Sequence, residues 1–278
     1  VTSAFLAFNT ETFFANNLAD LSALNEIFYW LPIFFVPAIA MGIWAEERKL
    51  GTDELLLTLP VRDLEVTVGK YLAALGVYTV SLVFALSHTV VLAWLGDPDA
   101  GLLFANYVGY WFVGAALIPL AMVASALTTN MTVAFILGTL FCFCALFVGD
   151  LLTLTLGMDS HLAKGVGVLA HFDNFTLGAI SLPDVIYFVL LGGVMLYINM
   201  ILLGKRHWTG GRDGQGMWGH YLLRGVAVVV AAIAISILVG RWFGGVRIDT
   251  TAEGLNSLST ETSKLLKHLP GERPVFIR

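Results

Sequence analysis

The chain has 278 residues, of which 58% are hydrophobic and 13% charged, with a mean hydropathy of +0.82 and a formal net charge of −5. An ordinary soluble domain carries about 25% charged residues, so this composition excludes a soluble globular protein and indicates a membrane protein. The charges are confined to a few loops and form no basic patch with interleaved aromatics, so nucleic acid is not expected as a partner.

Six apolar segments are long enough to cross a bilayer as helices, which takes about 20 residues each. In chain order they are 27–45, 71–95, 102–127, 133–149, 185–204 and 225–240. The third and fourth come from one stretch without charged residues, 100–149, which the polar run "TTNMT" at Thr128–Thr132 divides by a turn; the fourth extends toward Leu156. The sequence therefore predicts an all-α polytopic membrane protein.

Lys and Arg residues in short loops indicate which side of the membrane is cytoplasmic. The loop after the first span and the loop after the fifth carry four each: Arg48, Lys49, Arg62 and Lys70, and Lys205, Arg206, Arg212 and Arg224. Between the start of the chain and the sixth span, the opposite side carries only Lys164. The two charged loops are therefore predicted to be cytoplasmic and Val1 to lie outside, which implies an earlier span before it.

The last part of the chain changes to a soluble composition. We predict a flexible cytoplasmic linker over 205–220, in which the Gly-rich "GGRDGQG" follows a membrane helix and therefore favours a linker over a phosphate cradle. Residues 244–278 are predicted to begin an extracytoplasmic α/β domain. There Ser259 is a candidate N-cap, Leu265, Leu266 and Leu269 form an apolar face, and "PVFIR" is an opening strand.

Motifs for chemistry are absent from the sequence. There is no G-x-x-x-x-G-K-[ST] loop, no H-E-x-x-H and no G-x-S-x-G, and the six histidines are scattered. Cys142 and Cys144 are two residues apart in an apolar run, on different faces of a helix, so neither a disulfide nor a metal pair is expected. We therefore expect no catalytic, cofactor-binding or metal-binding residues in this chain.

The segment between the first two spans combines charge with leucines. Thr52 is a candidate N-cap, Glu54 lies in the first turn where the helix dipole favours negative charge, and Leu55 and Leu59 belong to an apolar ridge before Pro60. Asp63 is a candidate cap for the helix that follows. These residues fit two interpretations, an interfacial elbow that only connects two helices and a docking element for a partner.

A family resemblance favours docking. "EERKLGTDELLLTLPV" resembles the pattern E-x-R-x-x-G-T-x-E-x-L-L-x-x-P of ABC type-2 transporter permeases, and "VGKYLAAL" resembles that family's entry into its next span. The resemblance implies a coupling helix that docks into separate ABC ATPase subunits, which would bind ATP and Mg and carry out hydrolysis. The docking residues that it implies are Glu46, Glu47, Gly51, Thr52, Glu54, Leu55 and Leu59.

Two further stretches are similar to the gliding-motility (Gld-type) permease subfamily. "LAHFDNFTLGAISLPDVIYFVLLGGVMLYINMILL" resembles its last outer loop and final span, and "VRIDTTAEGLNSLSTETSKLLKHL" resembles the start of its auxiliary subunit. The resemblance implies a fused chain: a permease bundle over 1–204 that lacks its first helix, an additional transmembrane helix over 221–243, and the start of an auxiliary domain over 244–278. It also implies a bacterial inner-membrane location among membrane lipids, and a second permease copy in a homodimer.

Two features of the outer loop, residues 150–184, leave alternatives open. Phe172, Asp173 and Phe175 fit either an outer gate for substrate exit or packing that caps the bundle. Asp150 fits either a functional intramembrane carboxylate or a headgroup-region residue. At the level of function, a permease that exports or extracts a substrate competes with a non-transporting assembly that relays ATP-driven motion to envelope machinery.

Overall fold

The computed structural model describes residues 22–52, 62–157, 165–204 and 214–257, together with Thr262. These residues form the helices α1 (Ser22–Ala40), α2 (Gly42–Leu50), α3 (Asp63–Ala85), α4 (Ser87–Leu95), α5 (Ala100–Leu127), α6 (Met131–Leu146), α7 (Val148–Leu156), α8 (Val168–Thr176), α9 (Leu182–Gly204) and α10 (Gly214–Phe243), and the strands β1 (Ala179–Ser181) and β2 (Arg247–Asp249).

The predicted spans correspond to helices of membrane-crossing length. Among the residues that the structure describes, five stretches are long and apolar enough to cross a bilayer: Leu24–Leu50, Asp63–Trp94, Ala100–Leu127, Leu182–Gly204 and Leu223–Phe243. A sixth candidate is a pair of helices, Met131–Leu146 and Val148–Thr155, with a bend of 72° between them. The expectation of an all-α polytopic protein with six apolar segments is therefore confirmed, and the fourth segment is broken near its outer end.

Helix α5 forms the centre of the bundle. In its most apolar part 78% of the residues are buried, against none in the corresponding part of α10, which packs along α9 at the periphery. Small residues allow other side chains to approach the α5 backbone closely: a Cβ atom at Gly114 would lie 2.1 Å from the ring of Tyr78. The predicted turn in "TTNMT" is confirmed, because Asn130 accepts a hydrogen bond from the Thr132 amide at 2.9 Å and caps α6.

Two helices begin earlier than hydropathy predicts. Helix α3 starts at Asp63 and α10 at Gly214, so residues 214–220 of the predicted linker are helical. Asp63 is not the cap of α3: Arg62 occupies that position, and its amide donates to the Glu65 carboxylate at 3.3 Å. Hydropathy marks only the apolar part of a span, whereas the helix continues into the polar boundary because its backbone groups pair internally.

The structure adds a two-stranded antiparallel sheet that the sequence did not predict. Strand β1, in the outer loop, pairs with β2, which follows the last span, and Ile180 lies opposite Ile248. Both strands are only three residues long, too short for a period-2 pattern to be recognised. The predicted cap at Ser259, the apolar face of Leu265, Leu266 and Leu269, and the strand "PVFIR" lie outside the described residues.

Candidate functional sites at the two ends of the bundle

The coupling end, defined here by residues 42–52 and 62–70, holds the segment that the sequence singled out. Helix α2 ends at Gly51, which has φ 70° and donates its amide to the Glu47 carbonyl. Glycine adopts this left-handed conformation without strain, so Gly51 allows the chain to turn directly after α2. The Thr52 hydroxyl also donates to the Glu47 carbonyl, at 3.3 Å, so it faces back along α2. Glu54, Leu55 and Leu59 lie outside the described residues.

A lysine locks the two helices that flank this segment. Lys70, in the second turn of α3, forms a salt bridge with Glu47 and donates a hydrogen bond to the Ile43 carbonyl at 2.9 Å. Its ammonium also lies 4.5 Å from the ring centroid of Trp44, within the range of a cation–π contact. Glu47 is therefore paired within the chain, with a residue 23 positions further along. Glu46, by contrast, is exposed.

The break between α1 and α2 is held by a serine of the central helix. The fully buried Ser125 hydroxyl accepts hydrogen bonds from the amides of Trp44 and Ala45, both at 3.1 Å, and donates to the Met41 carbonyl at 2.8 Å. One side chain thus satisfies three backbone groups in an apolar environment, where each unpaired group is costly. Sequence reasoning missed Ser125, because nothing in its neighbourhood on α5 marks it as different from a small packing residue.

The outer end, defined by residues 96–101, 165–184 and 246–257, holds the two phenylalanines singled out as a gate or a cap. Phe172 and Phe175 of α8 are both buried. Phe172 packs 5.6 Å from the Tyr110 ring, and a Cβ atom at Gly109 would lie 2.6 Å from that of Phe175. Both rings therefore pack into the bundle against α5.

Polar contacts fix α8 to its neighbours. Asp173 is exposed and accepts a hydrogen bond from the Tyr29 hydroxyl of α1 at 2.9 Å. His171 contacts two acceptors, the Asp184 carboxylate at 2.6 Å and the Gly165 carbonyl at 3.1 Å. The buried Asp184 carboxylate also accepts a hydrogen bond from the Asn174 side chain at 2.8 Å, so two residues of α8 contact the same carboxylate. No motif or spacing in the sequence predicts that His171 and Asp184 are in contact.

Asp150 lies where the bent span turns. It is exposed and occupies the first turn of α7, where the helix dipole favours a negative charge. Both alternatives for Asp150, an intramembrane carboxylate and a headgroup-region residue, stay predictions. Within the part of the chain that the structure describes, no group of three or more His, Cys, Asp or Glu side chains is placed to hold a metal ion.

A comparison with known protein families identifies the helical bundle. Residues 8–204, more than half of the chain, match the family model described as ABC-2 family transporter protein. This chain belongs to the ABC-2 family of transporter proteins. No curated protein and no solved structure matched it.

Membership in the ABC-2 family makes this chain the permease subunit of an ABC transporter, a multi-pass membrane protein that is not itself catalytic. The match begins before α1 and ends at Gly204, the last residue of α9. Helix α10, strand β2 and the residues up to Ser257 therefore lie beyond the part that the family model covers.

Proposed function

We propose that this ABC-2 permease couples ATP hydrolysis by separate ATPase subunits to the export or extraction of a substrate across the bacterial inner membrane. The observation that carries the proposal is the lock formed by Lys70 and Glu47. It joins the two helices that flank the proposed coupling segment, so a force applied between them acts on two spans together. A flexible elbow would pass little of that force on.

The proposed docking residues divide into two groups. Glu46, Gly51 and Thr52, with Glu54, Leu55 and Leu59, form the surface offered to the ATPase, whereas Glu47 acts on it indirectly by holding α2 against α3. Glu46 is supported as the docking carboxylate because it is exposed, while Glu47 is paired with Lys70. ATP and Mg would be bound entirely by the partner subunits.

At the other end, we propose α8 as the outer gate, with Phe172, Asp173 and Phe175 holding it closed in the observed conformation. Substrate exit then requires both rings to leave their sites against α5. The Tyr29–Asp173 hydrogen bond, which is exposed, is the contact that water replaces most easily.

The finer assignment rests on the chain beyond the family match. We propose a gliding-motility-like permease, fused to an additional transmembrane helix over 221–243 and to the start of an extracytoplasmic auxiliary domain over 244–278. It would form a homodimer with a second permease copy. The span-length, apolar α10 and the paired strand that follows it support this order.

The experiment is co-purification from membranes followed by ATPase assay. The native chain should bring down an ATPase with Walker motifs, and the double variant Glu46→Lys, Leu55→Asp should lose that subunit while remaining folded. The matched control is Glu253→Lys, a charge reversal at an exposed residue of the outer end. An ATPase that still binds the double variant and is stimulated normally would disprove the docking role.

A further inference from the structure

The chain that follows the last span folds back onto the permease. After α10, residues 246–257 contact the loop before α5 and the residues around β1 through backbone and side-chain hydrogen bonds. We call residues 246–257 the outer clasp. They lie beyond the family match, so the permease bundle and the appended segment meet at this surface.

The pairing of β1 with β2 is extended at both ends. The Leu182 amide donates to the Val246 carbonyl at 3.1 Å, and the Thr250 amide donates to the Gly178 carbonyl at 3.0 Å. The Thr250 hydroxyl donates to the same carbonyl at 2.8 Å. These contacts fix the register of the clasp over five residues rather than three, against a strand that is itself held between α8 and α9.

Two further contacts hold the clasp outside the sheet. The Asp99 carboxylate, which caps α5 through the Gly101 and Leu102 amides, accepts a third hydrogen bond from the Ala252 amide at 2.8 Å. The Asn256 side chain donates to the Leu177 carbonyl at 2.6 Å. The clasp is therefore attached to the cap of the central helix as well as to the outer loop.

Two glycines of the permease leave the space that the clasp occupies. A Cβ atom at Gly101 would lie 1.6 Å from the Thr250 carbonyl oxygen, and one at Gly178 would lie 2.5 Å from the Thr251 methyl group. Gly178 also has φ 81°. The clasp is also held by hydrogen bonds within itself. The Asp249 carboxylate accepts one from the Thr251 hydroxyl at 2.6 Å and one from the backbone amide of Asn256 at 2.8 Å, so the clasp is preorganised for binding.

We infer that the outer clasp is a fixed attachment of the segment after α10 to the outer end of the bundle, so that residues 246–257 move with α5, α8 and α9 as one body. If residues 246–257 were a free tether, they would keep their conformational entropy, and the Thr250 and Ala252 amides would donate hydrogen bonds to water instead. Any displacement of the outer loop is then passed directly to residues 246–257. The inference takes from the proposed function only that the clasp lies outside the membrane.

The test measures attachment without using transport or an ATPase, so its failure is separate from failure of the proposed function. In the full chain in lipid nanodiscs, hydrogen exchange at the Leu182, Thr250 and Ala252 amides should be slow. Asp99→Ala should accelerate exchange at Ala252 by about tenfold or more, because a hydrogen bond to a charged group is lost. The matched control, Asp97→Ala, removes a carboxylate from the same loop and should change nothing.

A distance measurement tests whether the two parts move together. With spin labels at Phe104 and Leu255, both exposed, in a Cys144→Ser background, the native chain should give one narrow distance distribution. Gly101→Ala should broaden this distribution, because the added Cβ atom would collide with the Thr250 carbonyl oxygen. Alanine is the better helix former, so without that collision the change would stabilise α5. A broad distribution in the native chain, or exchange at Ala252 unchanged by Asp99→Ala, would overturn the inference.

Discussion

Lys70 and Glu47 form a salt bridge across the segment that separates the first two spans. The bridge lies at the boundary of the bundle, where the side chains of Lys70 and Glu47 are 19% and 33% exposed. At that degree of burial the pair is shielded enough to contribute to stability, whereas a fully exposed pair contributes little. It is also the contact through which, in the proposed function, force on the coupling segment would reach α3.

Lys70→Met should destabilise the coupling end. The variant keeps much of the side-chain volume but loses the ion pair, the hydrogen bond to the Ile43 carbonyl and the contact with Trp44. We expect a loss of about 1–3 kcal/mol in the free energy of unfolding, since the partly buried Glu47 keeps its charge without a partner. Detergent titration of the purified chain measures it, with the exposed Lys49→Met as control. An equal loss for Lys49→Met would show that charge alone, not the lock, is responsible.

Ser125→Ala should destabilise the junction between α1 and α2. The hydroxyl satisfies the amides of Trp44 and Ala45 and the Met41 carbonyl, so its removal leaves buried backbone groups to find other partners. The expected cost is about 1–3 kcal/mol in the free energy of unfolding. Ser81→Ala is the control, since its hydroxyl bonds only to the Val77 carbonyl of its own helix and should change stability by less than about 0.5 kcal/mol.

Gly109→Ala should loosen α8. The new methyl group would lie 2.6 Å from the Phe175 Cβ atom, and overpacking of this kind costs about 1–3 kcal/mol. Gly76→Ala on α3 is the matched control, because nothing lies within 4 Å of its Cβ position. We expect faster hydrogen exchange in α8 for Gly109→Ala only. If both variants exchange alike, Phe175 does not anchor the helix.

Acid should release the outer clasp. The hydrogen bond from the Ala252 amide lowers the pKa of Asp99 below its ordinary value of 3.8, and that from the Thr251 side chain lowers the pKa of Asp249 likewise. A carboxylate with a lowered folded-state pKa contributes stability that is fully present above its unfolded pKa and is lost as the pH falls through the folded one. The Phe104–Leu255 distance distribution should therefore stay narrow at neutral pH and broaden only below about pH 4. Broadening that begins near pH 6 would assign the transition to another group.

Hydropathy and residue type predicted the features that depend only on neighbours in the chain. Each of the six apolar segments becomes a helix because a backbone in lipid must pair its own polar groups. Gly51 ends α2 in a left-handed conformation because its lack of a Cβ atom permits it. The same local reasoning made Asp63 rather than Arg62 the cap of α3, an error of one residue, and it left residues 214–220 in a linker, since polar residues beyond the apolar core carry no hydropathy signal.

Some residues that look alike in the sequence are distinguished by partners that are distant in the chain. Glu46 and Glu47 are neighbours with the same side chain, and the position of Lys70 separates the exposed carboxylate from the paired one. Phe172 and Phe175 both pack next to Gly109 of α5, a contact that no sequence pattern indicates.

The sequence by itself determined the membrane class, the spans and the family pattern, because composition, hydropathy and motif spacing are local properties. The tertiary structure decided which side chains meet: Lys70 with Glu47, Ser125 with the backbone of α2, and the outer clasp with Asp99 and Gly178. Such contacts join residues up to 153 positions apart. They form only where helix packing brings their elements together, and no local sequence pattern predicts which elements pack against each other.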